Sequence, residues 1–545
     1  MKFKGTLDPD SIDIPLQNKS RLYRRWEIIP GALSITILSS SIILSIISPL
    51  AGAIFILVVL SITFVKGLST VYNVWAGFSA MEKASATDWE QRLADLEIGS
   101  AFHQDKTEFK YARHQKNIVN YQQFPNRYPR VHNIFNLVII AAYNETEAVL
   151  TPTIKSLIDT SFCKQQMIVC LAYEERGGIE MDKTAKKLQS MYKLSFADFL
   201  IVKHPKDLPN EVIGKGGNIT YAAKEASRYI SEHHIDSCNV IVTTLDSDNR
   251  PYRSYFDYLT YEFITHLDRQ NLSYQPVSLY LNNIWDVPAV VRVTAAGNSL
   301  WNTVCTARIH KLRNFASHSQ PLAALEAMNF WSTRTIVEDG HQYWRSYFFF
   351  RGDYAIVPIQ VPIYQDAVLS STYTKTLKDQ FVQIRRWAYG ASDIPYVRNL
   401  MHQNRSQLPH LRTLVKFLDL LEGHISWATT ALLVLVGGWF PLLFNHAANR
   451  SLVAHQLPST VALIQQIAMI GIISSIFFFF KILPPRPKRY RAWRTVGLIL
   501  QWALAPVSAI IYGSAASLYS QVRLMTGRYL IKFDVTDKNT VRTDN

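Results

Sequence analysis

The chain has 545 residues, a formal charge of +15 and 48% hydrophobic residues, enough for one large domain and a membrane part. Its Lys and Arg residues gather beside apolar runs, with no RNA-binding aromatic signature and no zinc-finger spacing, which argues against nucleic acid as a partner. The four cysteines, Cys163, Cys170, Cys238 and Cys305, show no CxxC spacing and read as free, reduced thiols.

Residues 1–27 are polar and basic and read as a cytosolic N-terminal segment. From Ile28 to Val65 the chain is almost uncharged, with Pro49 and Gly52 as interruptions, which predicts a transmembrane hairpin over 28–72. The polar leader is too long and the apolar run too large for a cleaved signal peptide. Arg21, Arg24 and Arg25 precede the hairpin and Lys66 follows it, so both flanks are expected in the cytosol. A cytosolic linker is expected over 73–133.

The region 134–404 alternates short apolar runs with helical patterns. Leu137–Ala141, Met167–Leu171, Phe199–Val202 and Val240–Leu245 read as strands, with helices over Glu145–Asp159 and Asn218–Glu232 between them. This predicts an α/β domain with a largely parallel sheet, whose ligands bind beyond the carboxyl ends of the strands. Two polar clusters fall at such ends, Tyr143-Asn144-Glu145 and Asp246-Ser247-Asp248.

Beyond residue 404 the chain turns apolar again. Leu411–Glu422 reads as an amphipathic helix at the interface, giving an interfacial segment over 405–424. The C-terminal transmembrane region is expected over 425–524, with spans at Ile425–Phe444 and Val461–Ile482. Thr495–Leu524 is broken by Pro506 and Gly513 and is expected to form a tight hairpin or re-entrant pair. Residues 525–545 are polar and read as a cytosolic tail.

Four constellations carry chemistry. Asp246 and Asp248 can share a hard cation that bridges to a diphosphate, although an isolated D-x-D is more often a solvated turn. Glu338-Asp339 offers a carboxylate able to deprotonate an acceptor hydroxyl, or else a surface acidic pair. Gln383-Ile-Arg-Arg386-Trp387 offers an arginine for a diphosphate and an indole face for a sugar, or else an amphipathic helix with a snorkelling arginine. Gly214-Lys215-Gly-Gly-Asn218 permits close backbone approach to a phosphate, or else makes a tight turn before a helix; its spacing is not that of a Walker loop.

The order of these pieces along one α/β domain resembles the family-2 glycosyltransferases. It looks particularly like their membrane-embedded, processive branch of cellulose, chitin and hyaluronan synthases, over roughly residues 135–400. The resemblance implies a GT-A-like (nucleotide-diphospho-sugar transferase) cytosolic domain flanked by α-helical transmembrane segments, in a plasma or inner membrane. It implies Mg²⁺ or Mn²⁺ at Asp246 and Asp248, and Asp339 as general base. The donor would be met by Tyr143, Asn144, Glu145, Glu174, Lys215, Asn218, Asp246 and Arg386, and the acceptor by Glu338, Gln383 and Trp387. Arg345 matches an arginine that often follows the Thr-Glu-Asp motif. Near the C-terminus, Phe533-Asp-Val535-Thr536-Asp-Lys538 is similar to a gating loop that closes over bound nucleotide in bacterial cellulose synthases, which would add Thr536 and Lys538 to the donor set.

The chain also departs from that pattern. Where the family has an Asp pair that reads the uracil, this chain has Leu171-Ala-Tyr-Glu174-Glu175-Arg176, so Glu174 takes that place. Val337 stands where the Thr of Thr-Glu-Asp belongs. The expected function is inverting, metal-dependent sugar transfer from a UDP-sugar to a glycan acceptor, in polysaccharide synthesis and export. The alternative is a single addition to a lipid or lipid-linked acceptor. A membrane scaffold or transporter fits less well, because the apolar spans carry few charges and the polar residues gather in the α/β domain.

Overall fold

The computed structural model describes residues 3, 5–15, 19–102, 105–445 and 452–531. Its centre is an eight-stranded mixed sheet in the order β3-β2-β1-β4-β7-β6-β8-β5. The strands are β1 Phe135–Ala142, β2 Met167–Glu174, β3 Asp198–His204, β4 Val240–Asp246, β5 Arg250–Pro251, β6 Leu272–Tyr280, β7 Ser319–Pro321 and β8 Ala355–Gln365. The first four pair in parallel. β1 and β2 are mostly apolar because helices cover both faces, and every residue of β2 is buried. This is an α/β sheet, as expected from the sequence, with apolar helices before and after it in the chain.

Register places the chemistry. Asp246 at the end of β4 lies level with Ala141 of β1, and Ala142 lies level with Tyr173 of β2. The residues that follow, Tyr143, Glu174 and Ser247, therefore leave the sheet at one edge. β6 and β8 also run parallel, with Tyr280 level with Gln365, and their ends reach the same side.

The segments on either side of the sheet are less separate than their composition suggests. The 73–133 stretch packs into the core, where Trp89 stacks on Tyr258 at 3.7 Å between ring centroids. Arg113 makes a two-pronged bond to the buried Glu262, at 3.0 and 2.6 Å. The N-terminal segment also docks: Leu7 N–H donates to Phe349 O at 2.9 Å, and Tyr396 Oη donates to Ile12 O at 2.7 Å.

Among the described residues, four helical stretches are long and apolar enough to cross a membrane: Arg21–Ile47, Pro49–Ala86, His410–Phe444 and Trp493–Met525. The first two pack against each other as a hairpin of helices longer than the 28–72 stretch read from sequence. It breaks at Ser48, whose side chain caps the second helix, and Pro49 occupies the first helical turn, where its missing N–H costs nothing. Gly52 lets the two helices touch; a Cβ there would lie 2.4 Å from Ser45 Oγ. The segment read as an interfacial helix and the span after it form one helix, His410–Val436. A further apolar helix covers Leu452–Ile482.

Trp493–Met525 differs from the expected hairpin. It is one helical path without reversal, through a 3-10 turn, Pro506 in a short α segment, and a π segment over Ala509–Ala515. Both ends touch the α/β domain: Arg494 donates to Trp285 O at 3.3 Å, and Ser520 Oγ donates to Arg385 O at 2.6 Å. Apolarity alone could not distinguish a span from a helix laid along the domain, and the hairpin reading assumed the former.

Candidate active site

The expected metal, base, donor and acceptor residues between Tyr143 and Trp387 line one cavity of about 2290 Å³ at the carboxyl ends of the strands; Arg345 does not. The structure brings together Tyr143, Asn144, Glu145, Glu174, Lys215, Asn218, Asp246, Asp248, Glu338, Asp339, Gln383, Arg386 and Trp387. Phe533, Val535, Thr536 and Lys538 lie outside the described residues.

The Asp246-Ser247-Asp248 turn is pinned on several sides. Ser247 O accepts from Thr153 Oγ1 at 2.7 Å, and Ser247 Oγ donates to Glu145 Oε1 at 3.0 Å. Asp248 Oδ2 accepts from Asp366 N–H at 2.8 Å, and Asp248 O accepts from Asn282 Nδ2 at 2.9 Å. Glu145, read as a donor contact, thus braces the acidic turn; its other oxygen accepts Tyr143 N–H at 2.6 Å. Asp248 is buried, whereas Asp246 is partly open to the cavity.

Lys215 opens the Lys215–Glu232 helix and puts Nζ 2.7 Å from Asp246 Oδ1. Burial opposes its charge, but Asp246, Glu338 and Asp339 outweigh that and hold its pKa above the ordinary lysine value. The adjacent glycines are closely packed against the protein itself. A Cβ on Gly216 would lie 2.8 Å from Ser332 O, and one on Gly217 would lie 2.9 Å from Glu211 Oε2. They are there for packing of the helix start. Asn218 staples the sheet edge, donating from Nδ2 to Ala142 O and Ala172 O at 3.1 Å each. Among the described residues, its buried Oδ1 has no hydrogen-bond partner.

Glu338 and Asp339 begin the Glu338–Phe349 helix. Burial raises both carboxyls above their usual range. Glu338 is pushed up to about 7 by burial and then by the Asp339 charge, while Lys215 pulls both down. Asp339 Oδ1 accepts its neighbour Gly340 N–H at 2.7 Å. Arg345 is committed elsewhere: it donates to Met328 O at 2.7 Å and Phe330 O at 3.2 Å, and pairs with Asp13 at 3.3 Å. It fixes the loop before Glu338 and the N-terminal segment.

The opposite wall is the Tyr373–Ala388 helix, which carries Gln383, Arg386 and Trp387. Burial lowers the Arg386 pKa, with Glu338, Asp246 and Asp339 opposing. Trp387 meets Tyr280 at 5.8 Å between ring centroids. The back of this helix packs on the Trp493–Met525 path. Tyr512 Oη donates to Leu377 O at 3.3 Å, eight residues before the Arg385–Ser520 bond on both helices.

Sequence reasoning missed residues in the cavity wall and behind it. Tyr280, at the end of β6, faces the acidic cluster; burial pushes its phenol pKa up, and Asp246, Asp339 and Asp248 add to this. The available signal was its place after an apolar strand, as with Asp246. His204 bridges Glu174 at 3.1 Å and Glu211 at 3.0 Å, and Arg176 pairs with Glu174 at 3.1 Å. Burial works against His204's charge, but those two carboxylates push it up to about 9. No local motif announces that group.

No family model matches the chain, and no curated protein sequence does. Among solved structures, the chain is similar to mannosyltransferase PcManGT from Pyrobaculum calidifontis in complex with GDP-Man and Mn²⁺, at 12% identity, over 78% of this chain and 99% of that one, with a TM-score of 0.38. It is also similar to S. aureus TarS 1-349 in complex with UDP-GlcNAc, at 12% identity, over 73% and 93%, TM-score 0.35. A third is GalNAc-T7 with UDP, GalNAc and Mn²⁺, at 9% identity, over 54% and 58%, TM-score 0.31.

Proposed function

We propose that this chain is an inverting glycosyltransferase that takes its sugar from a nucleotide diphosphate donor. One observation carries the reading: the paired carboxylates Asp246 and Asp248, the acidic pair Glu338–Asp339 and the cations Lys215 and Arg386 all line one cavity at the strand ends. Asp246 and Asp248, two residues apart with Asp246 open to the cavity, are hard oxygen donors that would hold Mg²⁺ or Mn²⁺. Such an ion would supply neutralisation of the leaving diphosphate.

The chain's own residues do the rest. Lys215 and Arg386 bring positive charge to the diphosphate. Asp339 accepts the proton of the attacking hydroxyl, and burial, by raising its pKa above the ordinary carboxylate value, makes it a stronger base. Trp387 and Tyr280 offer ring faces to a sugar. Glu174 beside Arg176 presents an acceptor next to a donor, matching the imide edge of uracil, so UDP is the expected carrier. One base and one nucleophilic hydroxyl give a single displacement, hence inversion. The Arg21–Arg25 and Lys66 flanks put the domain on the cytosolic side, where nucleotide sugars are found.

Extension of a polysaccharide is one reading of the acceptor. Transfer to a lipid or lipid-linked acceptor is the second, and the reach of the cavity toward the apolar helices favours it. A screen of labelled UDP- and GDP-sugars with the purified chain in detergent tests the transferase reading. Label released from one nucleotide only, with Mg²⁺ or Mn²⁺ required, is expected. No turnover or binding of any nucleotide sugar would refute it.

A further inference from the structure

We infer that the acceptor is an anionic amphiphile that enters from the membrane side, its headgroup phosphate held by Lys66, Arg308, Lys311 and Arg313. This rests on the transferase reading and on the apolar helices lying in a bilayer. The cavity that holds Asp339 and Trp387 continues past these four cations to Ile62 and Leu433 of the apolar helices. Its volume of about 2290 Å³ exceeds the ~300–1,000 Å³ that an ordinary small-molecule site occupies. A nucleotide sugar alone leaves much of it unfilled.

The charges along that extension are not balanced. Lys66 pairs with Glu422, joining the Pro49–Ala86 and His410–Val436 helices, and Lys311 pairs with Asp419 at 2.8 Å. Arg308 donates to Ser69 Oγ at 2.9 Å, and Arg313 lies over the Tyr343 ring at 4.2 Å from its centroid. Among the described residues neither guanidinium pairs with a carboxylate. Two uncompensated guanidinium groups between a catalytic cleft and an apolar groove match a phosphate with a hydrocarbon tail. A neutral glycan would leave its hydroxyls unmet against Ile62 and Leu433, at a cost for each.

In the transfer, a headgroup hydroxyl oxygen bonds to the anomeric carbon while that carbon's bond to the donor phosphate oxygen breaks. The hydroxyl proton passes to Asp339, and the nucleoside diphosphate leaves with the bonding electrons.

The test measures binding to the purified full chain in detergent by native mass spectrometry. Three probes separate the contributions: phosphatidylglycerol, diacylglycerol without the phosphate, and glycerol phosphate without the tail. Phosphatidylglycerol is expected to bind at least about tenfold more tightly than either, the scale of one or two charge-assisted hydrogen bonds. Combining Arg308→Gln with Arg313→Gln should erase that preference, and the paired Arg→Lys variant should restore most of it. Each single Gln variant serves if the pair fails to fold, as judged by thermal melting. Equal affinity for the charged and neutral lipids, or a preference untouched by the Gln variants, would overturn the proposal. So would glycerol phosphate competing as well as the lipid. Donor binding, followed in parallel, should not change in these variants. A wild-type chain that binds no donor would refute the transferase reading instead, whatever lipid it takes.

Discussion

The two walls of the cleft are built in different ways. The strand-end wall carries Asp246, Asp248, Glu145, Glu174 and Asn218, and sheet register and short hydrogen bonds fix each of these. The facing wall is a single helix with Gln383, Arg386 and Trp387, backed by the apolar Trp493–Met525 path. The first wall is a property of the α/β domain alone. The second is only as well placed as the membrane-side helices behind it. On the proposed reading, the metal-side chemistry would sit on the rigid sheet edge, and the groups proposed to meet the sugar and acceptor would sit where the apolar helices can influence them.

Substitutions can break this comparison at either wall. The largest effect is expected at Asp248→Asn, which should cut turnover by about a thousandfold, the upper scale for losing one electrostatic stabiliser, without changing the melting temperature much. Substantial turnover in this variant, with metal still required, would move the metal site elsewhere.

Next come two buried truncations, one behind each wall. Tyr512→Ala, behind Trp387 and Ile384, should lower kcat by about tenfold through a misplaced wall. Ile139→Ala, in the fully buried centre of β1, should cost about 2–4 kcal/mol of stability, yet leave kcat of the folded protein intact. Reversed outcomes would mean that the sheet edge, not the helix, is the adjustable side.

Lys215→Met tests the electrostatics. Lys215 lowers the Asp339 carboxyl, so its removal should let that pKa rise further. The acid limb of kcat/KM for the residual activity should then move to higher pH, because the base protonates sooner on acidification. An unmoved limb would take Asp339 out of that role.

The smallest effect concerns His204, whose pKa is raised to about 9 in the folded chain. The folded state binds this proton more tightly than the unfolded one. The resulting stability is complete below pH about 6.5 and disappears as pH rises through 9, a change on the order of 2 kcal/mol. His204→Gln should flatten melting temperature across that window, and an unchanged slope would deny the charged bridge.

Much of the strand-end wall was legible because it follows local rules. β1 to β4 are apolar runs that end in polar clusters, and parallel pairing carries those clusters to one edge. β6 and β8 were harder to read because Ser273, Gln275 and Gln360 interrupt them, and Tyr280 was missed with them. Glu145 and Asn218 were read as ligand contacts because a motif records where a residue stands, not which backbone group it satisfies. Trp493–Met525 was misread as a hairpin because a helix lying along the domain and a span share one composition. Arg308 and Arg313 belong to no motif; the cavity alone joins them to Asp339.

The central claim is that Asp246 serves the donor and Asp339 serves the transfer. The most direct test measures donor affinity by calorimetry with Mg²⁺ or Mn²⁺ present, and sugar transfer with a labelled donor, in the wild type, Asp246→Asn and Asp339→Asn. The account predicts that Asp246→Asn loses both donor affinity and transfer. Asp339→Asn should bind donor as the wild type does but transfer roughly a hundredfold more slowly or worse. Wild-type transfer by Asp339→Asn, or wild-type donor affinity in Asp246→Asn, would contradict it.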